Sequence, residues 1–288
     1  MSITNGATKS IVRVSREHPA WSKEVFKEKW VRPRFTSLSY REMLQIYPDA
    51  PHAKLTPATG VGSVVFSGDE YTIILTAAHV VLPVRFRDEW DLMDGASFLN
   101  ILNQEWQFSI TSLTAGQKTV PAQLLASTLF LKGEPDLALL IAETKEIGDL
   151  FPAISISQAG ASEGSHVRFF RYEDEAIEER RDIVSRVQLR EEVETVCLSE
   201  GAPKGFSGSP IISRNDGLVG VIFGYEHMEV LGQSINIGLG TGSLTIRKML
   251  ARWAEGEAIV STTGCVPKDL YTRNLPEKIQ DVLRGIAS

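Results

Sequence analysis

Three short strings along the chain each contain one residue that could take part in nucleophilic serine chemistry. In chain order they are Leu75-Thr-Ala-Ala-His79-Val80, Asp136-Leu-Ala-Leu-Leu140 and Lys204-Gly-Phe-Ser207-Gly-Ser-Pro210. A serine hydroxyl is a poor nucleophile at neutral pH, so it needs a base and donors for the oxyanion that forms. A histidine can act as that base, and a carboxylate can orient it. Together the strings predict a Ser-His-Asp apparatus and the chemistry of a serine hydrolase.

Two glycines surround Ser207, the candidate nucleophile. Gly205 and Gly208 allow a tight turn whose backbone amides point outward. The amides of Gly205 and Ser207 could then form an oxyanion hole. The same residues also fit a simple turn that leads into a strand at residues 210–213. The string alone does not separate these interpretations.

The candidate base and the candidate carboxylate both lie at the ends of apolar runs. His79 follows residues 73–78, and Asp136 precedes residues 137–141. A carboxylate at that place is partly buried, so it needs a hydrogen-bond partner such as an imidazole N–H. Each residue alone also fits a structural role, as a capping histidine or an acidic turn residue. The other four histidines have no comparable context; they are His18, His52, His166 and His227.

Short β-rich runs separated by turn residues follow one another from about residue 58 onward. The predicted strands are 62–67, 71–76, 107–113, 122–127, 137–141, 166–171, 183–189, 195–198, 210–213, 218–223 and 235–239. Many short strands and few helices are typical of an antiparallel barrel or sandwich. The sequence therefore predicts an all-β domain over residues 58–254.

Helical patterns lie at both ends of this domain. Residues 1–57 form a predicted basic, partly helical extension, with a short helix at 21–30 and a capping-box spacing at 39–42. At the other end, apolar residues at helical spacing predict a C-terminal helix with one buried face: Ile246, Met249, Leu250 and Trp253. The predicted tail, residues 255–288, contains a second amphipathic stretch with apolar residues at Ile279, Val282, Leu283 and Ile286.

Composition limits the classes of partner and compartment. Residues 1–60 contain ten Lys and Arg against five Asp and Glu, although the whole chain has a net charge of -6. This segment could bind nucleic acid, but its basic residues are scattered among acids, and we favour an extension that lies against an acidic body. Two cysteines cannot form a disulfide framework, and no secretory signal pattern or membrane-spanning run is visible. We therefore expect a cytoplasmic protein.

The order His, Asp, Ser in these contexts resembles the chymotrypsin-like serine peptidases. It is most similar to their bacterial branch, which includes the HtrA-type and glutamyl-endopeptidase-type enzymes. Residues 60–65 resemble the strand that precedes the histidine strand in that branch, and residues 217–224 resemble the strand behind the substrate cleft. The likeness covers about residues 58–254. It implies two six-stranded antiparallel β-barrels with the cleft between them.

The resemblance also implies a role for each matching residue. Ser207 would attack the scissile carbonyl, His79 would carry its proton, and Asp136 would hold the imidazole. The amides of Gly205 and Ser207 would form the oxyanion hole. Such an enzyme needs no metal and no cofactor. Its partners would be a protein or peptide substrate and a regulatory protein or other trigger.

Some positions depart from the family pattern. Phe206 stands where Asn or Asp is usual, with a side chain expected to point away from the reacting centre, and Ser209 replaces a common glycine. The base of the specificity pocket falls near Gly201, so a trypsin-like preference for Arg or Lys is not supported. The pocket wall is expected to comprise Phe223, Gly224 and Tyr225, which would suit a small or apolar side chain.

We therefore interpret the sequence as a serine endopeptidase that uses a His79–Asp136–Ser207 triad. The alternative is a peptidase-fold binding or scaffold protein whose chemistry is dormant. Phe206 and the two extensions motivate that alternative, whereas the presence of all three triad residues favours the enzyme.

Overall fold

The structure of the chain is a computed structural model. It describes residues 6–17, 58–82, 106–112, 118–128, 135–144, 152–173, 176–190, 192–202, 205–230, 233–256, 259–260 and 275–288. The helix predicted at residues 21–30 and the capping box at 39–42 lie outside the described residues.

Six strands form the first barrel. They are β1 (Ile11–Glu17), β2 (Ala58–Ser67), β3 (Tyr71–Thr76), β4 (Gln107–Ser112), β5 (Thr119–Thr128) and β6 (Ala138–Glu143). All pairings among them are antiparallel, in the order β5-β4-β1-β2-β3-β6, and a pairing of β5 with β6 closes the barrel.

Six further strands form the second barrel. They are β7 (His166–Glu173), β8 (Ala176–Arg190), β9 (Val193–Leu198), β10 (Pro210–Ser213), β11 (Leu218–Val230) and β12 (Gln233–Gly242). They close in the antiparallel order β10-β11-β12-β9-β8-β7. The predicted fold of two six-stranded antiparallel barrels is therefore confirmed. A two-residue strand, β13 (Ile259–Val260), pairs in parallel with the end of β5.

The first barrel begins earlier than the sequence predicted. Strand β1 lies within the predicted extension, yet it occupies the barrel between β2 and β4. Its arginines contact aromatic rings: the guanidinium of Arg13 lies 4.9 Å from the Tyr172 ring centroid, and that of Arg16 lies 5.0 Å from Trp106. Burial lowers the pKa of Arg16 to about 10. The boundary predicted at residue 58 is therefore not the beginning of this barrel.

Both faces of the central strands are buried, which explains why their sequences are continuous apolar runs. In β3, Ile74 packs inside the first barrel, whereas Ile73 and Leu75 face a second apolar cluster. That cluster also includes Phe170 and Val221 of the second barrel. It therefore joins the two barrels.

The described part of the chain has three α-helices: α1 (Ala78–Val81), α2 (Ser243–Ala254) and α3 (Glu277–Ala287). The predicted apolar face of α2 is buried, as are Ile279 and Leu283 of α3. Helix α3 packs on α2 and also contacts the first barrel, where the Tyr71 hydroxyl donates to the Lys278 carbonyl at 3.3 Å. The helices described have neither the length nor the apolar character that a membrane crossing requires.

Candidate active site

Strand pairing brings His79 and Asp136 to the same edge of the first barrel. Thr76, the last residue of β3, pairs with Ala138, the first residue of β6. His79 follows three residues after Thr76 in the one-turn helix α1, and Asp136 lies two residues before Ala138. Two positions far apart in sequence therefore become neighbours because antiparallel strands begin and end side by side.

The Asp136 carboxylate makes two hydrogen bonds to His79. One oxygen, Oδ2, lies 2.7 Å from the ring nitrogen Nδ1, and the other, Oδ1, accepts the backbone N–H of His79 at 3.0 Å. The Asp136 side chain is 11% exposed, whereas that of His79 is 31% exposed. The carboxylate is therefore largely enclosed with both oxygens bonded to the histidine, while the imidazole is partly exposed.

Ser207 is attached to the first barrel although it precedes β10 of the second barrel. Its carbonyl accepts the backbone N–H of Val61 in β2 at 2.8 Å. Gly60 permits this approach, since a Cβ at that position would lie 2.8 Å from the Ser207 carbonyl oxygen and 2.6 Å from Val80. The half-buried Ser207 therefore lies where the two barrels meet.

Gly208 fixes Ser207 beside the end of β3. Its φ is +81°, and an added Cβ would lie 2.0 Å from the Val61 carbonyl oxygen and 2.3 Å from the Thr76 hydroxyl. The same Cβ would lie 3.2 Å from the backbone nitrogen of Ala77, two residues before His79. Backbone packing therefore brings the nucleophile loop next to the segment that carries the histidine.

The turn around Ser207 contains two glycines with positive φ, Gly205 and Gly208. Gly205 has a φ of +98°, in the region that favours glycine. The amides of Gly208 and Ser209 donate to the carbonyls of Ile222 and Phe206, at 2.8 and 2.9 Å. Within the described residues, the amides of Gly205 and Ser207 have no acceptor. These are the two donors that the sequence assigned to an oxyanion.

The two unusual residues of the nucleophile motif are both buried. The Phe206 side chain is fully buried in the core of the second barrel, away from the cleft, as the sequence predicted. Ser209 is also fully buried, and its hydroxyl accepts the backbone N–H of Phe170 at 2.7 Å. The hydroxyl thus ties the nucleophile loop to β7, a bond that glycine could not make.

The second barrel has a cavity of about 470 Å³, whose lining includes residues shortly before the nucleophile loop in sequence. Its lining residues are Arg180, Glu200, Gly201, Ala202, Tyr225, His227 and Asn236. Gly201 and Tyr225 were predicted to bind substrate, and the structure places both in the lining. The predicted wall residues Phe223 and Gly224 lie half-buried on β11 and are not among the described residues that line this cavity. The lining combines charged and polar side chains with apolar surface in nearly equal parts.

Asp182 supports one wall of this cavity and was missed by sequence reasoning. One carboxylate oxygen accepts the Glu200 backbone N–H at 3.0 Å, and the other accepts the Ser199 hydroxyl. Arg180 lies two residues earlier on the same face of β8 and lines the cavity. All five residues from 178 to 182 are charged, so the sequence shows no alternation that would separate the two faces of β8 here.

No metal centre accompanies this arrangement in the part of the chain that is described. There, no three His, Cys, Asp or Glu side chains are grouped so as to hold a metal ion. Cys197 is a buried free thiol on β9. Cys265 lies outside the described residues.

The fold resembles those of known bacterial-type serine proteases. The active form of the Rv3671c protease from M. tuberculosis superposes with a TM-score of 0.51 at 17% identity, covering 91% of this chain and 87% of that protein. The HtrA-type protease AlgW, solved with a decapeptide, gives a TM-score of 0.52 at 15% identity, covering 88% of this chain and 66% of AlgW. At these identities the likeness concerns the fold alone.

A sequence-level comparison identifies the family. No curated protein matches the chain in sequence. The family model described as the trypsin-like peptidase domain, however, matches residues 60–221, more than half of the chain. The matched range includes His79, Asp136 and Ser207. The chain therefore belongs to the trypsin-like peptidase domain family.

Proposed function

We propose that this chain is a serine endopeptidase in which Ser207, His79 and Asp136 form the catalytic triad. The observation that carries the proposal is the pair of hydrogen bonds that His79 donates to the Asp136 carboxylate. This pair lies beside the loop that Gly208 fixes against the end of the same strand. Family membership supports hydrolysis of a protein or peptide substrate.

The geometry supports defined proton transfers. Because the Asp136 carboxylate accepts from Nδ1–H, the tautomer of His79 has its lone pair on Nε2. In our proposal Nε2 takes the proton from the Ser207 hydroxyl as its oxygen forms a bond to the scissile carbonyl carbon. The carbonyl π electrons move to oxygen, and the amides of Gly205 and Ser207 donate to that oxyanion. Asp136 stabilises the imidazolium and stays ionised.

Collapse of the tetrahedral intermediate completes the first half of the reaction. The carbonyl forms again, the C–N bond breaks, and the leaving nitrogen takes the proton from His79. This leaves an acyl-enzyme at Ser207 and a free amine. Water then attacks the ester while His79 accepts one of its protons. The same proton returns to the Ser207 oxygen as the carboxylic acid departs.

Fluorophosphonate labelling tests the nucleophile directly. We expect the wild type to be labelled at Ser207 and Ser207→Ala to be unlabelled, with peptide mapping to locate the adduct. Ser165→Ala, on the turn before β7, is the matched control and should label like the wild type. The unlabelled wild type should also cleave a denatured protein, whereas Ser207→Ala and the fully labelled wild type should not.

Failure of these assays would favour the dormant scaffold. If the wild type is neither labelled nor active on a denatured protein, with candidate activators present, the enzyme proposal is wrong. We also propose that a partner or trigger controls the activity, because a cytoplasmic peptidase must spare its host's proteins. Full activity of the purified chain on casein, with no added factor, would contradict this control.

A further inference from the structure

Phe206 sits between two guanidinium groups and a second aromatic ring. The ring centroid of Phe206 lies 5.0 Å from that of Phe169, with the planes at 75° in an edge-to-face arrangement. The guanidinium carbons of Arg171 and Arg180 lie 5.6 and 5.5 Å from the Phe206 centroid. Both distances are within the range of cation–π attraction. Three side chains therefore contact the ring of Phe206, the residue immediately before the proposed nucleophile.

The register of β7 and β8 explains how this cluster forms. Phe169 pairs directly with Arg180, and Arg171 pairs directly with Glu178. Since alternate residues of a strand share a face, all four side chains project from one face of the hairpin. Glu178 joins the two cations, because its carboxylate accepts from Nε of Arg171 and, at 3.0 Å, from Nε of Arg180. These hydrogen bonds, to Arg180 and then Arg171, lower the pKa of Glu178, so it stays ionised.

The side-chain cluster around Phe206 adjoins the nucleophile loop, residues 205–209. Phe206 lies between the two residues whose amides would bind the oxyanion, Gly205 and Ser207. The stem of Arg171 also approaches this loop, at 3.9 Å from where a Cβ on Gly205 would lie. The Phe206 carbonyl accepts the Ser209 amide at 2.9 Å. A shift of the Phe206 Cα would therefore move the peptide groups on both sides of it, because both share that atom.

We propose that Phe206 is a positioning residue that holds the Gly205–Ser207 peptides for oxyanion binding. Arg171, Arg180 and Phe169 fix its ring, and Glu178 fixes the two arginines. A preorganised donor pair acts on the transition state more than on the bound substrate. Loss of the ring should therefore lower kcat and leave KM nearly unchanged. This inference rests on the proposed peptidase function.

Phe206→Leu, with Phe108→Leu as its matched control, tests the inference. Leucine keeps an apolar anchor but removes the aromatic faces. Phe108 is equally aromatic and buried, and it packs in the first barrel, away from the loop. We expect Phe206→Leu to lower kcat and the rate of fluorophosphonate labelling by about 10²-fold, the effect of a small misplacement. Phe108→Leu should lower the melting temperature while kcat stays at the wild-type value.

Glu178→Gln provides a second test that does not disturb the core. Its control is Glu192→Gln, which removes another carboxylate paired with a cation, Lys248, on the surface. We expect Glu178→Gln to lower kcat by about two- to fivefold, because partly exposed ion pairs contribute little individually. Glu192→Gln should leave kcat unchanged.

The outcomes separate this inference from the proposed function. If the wild type is labelled and turns over substrate, but a folded Phe206→Leu variant retains its kcat, the positioning role is wrong and the peptidase stands. If Phe206→Leu does not fold, an unchanged kcat in Glu178→Gln overturns the role. If the wild type is not labelled at all, the proposed function fails and this inference fails with it.

Discussion

Asp136 holds both the ring and the backbone of His79. Its Oδ2 lies 2.7 Å from Nδ1 of the ring, and its Oδ1 accepts the backbone N–H at 3.0 Å. A single hydrogen bond would leave the imidazole free to turn about it, whereas two bonds fix its position relative to α1. The carboxylate therefore sets the location of the base as well as its tautomer.

We predict that Asp136→Asn preserves the fold but lowers kcat by about 10⁴-fold, as expected when the base adopts the wrong tautomer. The amide oxygen could still accept the backbone N–H of His79. Its NH₂ group, however, cannot accept from Nδ1–H, so the proton would move to Nε2. The measurement is kcat on a peptide substrate, together with a thermal melt.

Asp216→Asn is the control for that experiment, because Asp216 is a surface carboxylate paired with Arg168. It should lose no more than a few-fold in kcat, as expected for an exposed ion pair. Equal losses in both variants would argue against a special role for Asp136.

We predict that Gly208→Ala is far more destabilising than Gly164→Ala. The two glycines have φ angles of +81° and +77°, so the backbone strain of an alanine is similar at both. Nothing lies within 4 Å of a Cβ at Gly164, whereas a Cβ at Gly208 would overlap the Val61 carbonyl and the Thr76 hydroxyl. Gly164→Ala should lower the free energy of unfolding by about 1–2 kcal/mol.

Gly208→Ala should lose considerably more and should also lose fluorophosphonate labelling, because Ser207 would move away from β3. Chemical denaturation of both variants, with labelling measured under native conditions, checks this expectation. Equal free energies of unfolding would mean that the loop can move without cost, and the placement of Ser207 would have to be reconsidered.

Local patterns predicted strands well where both faces of a strand are apolar. The bounds predicted for β3, residues 71–76, and for β10, residues 210–213, coincide with the observed strands. Strand β1 was missed because Arg13 and Arg16 interrupt its apolar pattern, and its residues were assigned to the basic extension. Those arginines instead lie on aromatic rings contributed by residues far along the chain, which spacing cannot reveal.

The candidate site also has a part that the sequence predicted and a part that it did not. The neighbourhood of His79 and Asp136 follows from two apolar runs that pair as antiparallel strands, so sequence order was informative. The side chains that line the cavity were only partly predictable, because Arg180 and Asn236 come from strands that meet only when the second barrel closes. Phe206 was recognised as unusual, but its contacts depend on the register of β7 with β8.

We predict that Asp182→Asn raises KM on the order of tenfold and has a smaller effect on kcat. A tenfold change corresponds to the free energy that one hydrogen bond to a charged group contributes. Asp182 accepts from the Ser199 hydroxyl and the Glu200 amide, and these residues lead into Gly201 at the cavity wall. Gly201 packs closely on the backbone of β12, since a Cβ there would lie 2.5 Å from the Asn236 carbonyl oxygen. Loosening the turn should therefore reshape the cavity.

Steady-state kinetics on peptides that differ only in the residue before the scissile bond would measure this effect. The rise in KM should depend on that residue, because the cavity would contact it. An equal change for every peptide would indicate a general loss of structure and would contradict the proposed support of the cavity.

We predict opposite pH trends in stability for Glu194→Gln and Glu192→Gln. Burial raises the pKa of Glu194 above its ordinary 4.5, and the opposing bonds from backbone amides, led by Leu244, do not cancel this effect. The native state thus holds the proton more tightly than the unfolded chain does. The stability from this group is fully present below the unfolded pKa and is lost as the pH rises through the native pKa.

Glutamine cannot ionise, so Glu194→Gln should gain stability relative to the wild type as the pH rises from about 4 through the raised pKa of Glu194. Glu192 is the internal control, because its hydrogen bond and charge interaction with Lys248 lower its pKa. The stability that Glu192 contributes is present above its unfolded pKa and is lost as the pH falls. Relative to the wild type, Glu192→Gln should therefore lose stability as the pH rises. Urea denaturation of the three proteins is measured from below the lowered pKa of Glu192 to above the raised pKa of Glu194, since the two effects fall on opposite sides of 4.5. Parallel curves would refute the assigned direction of both shifts.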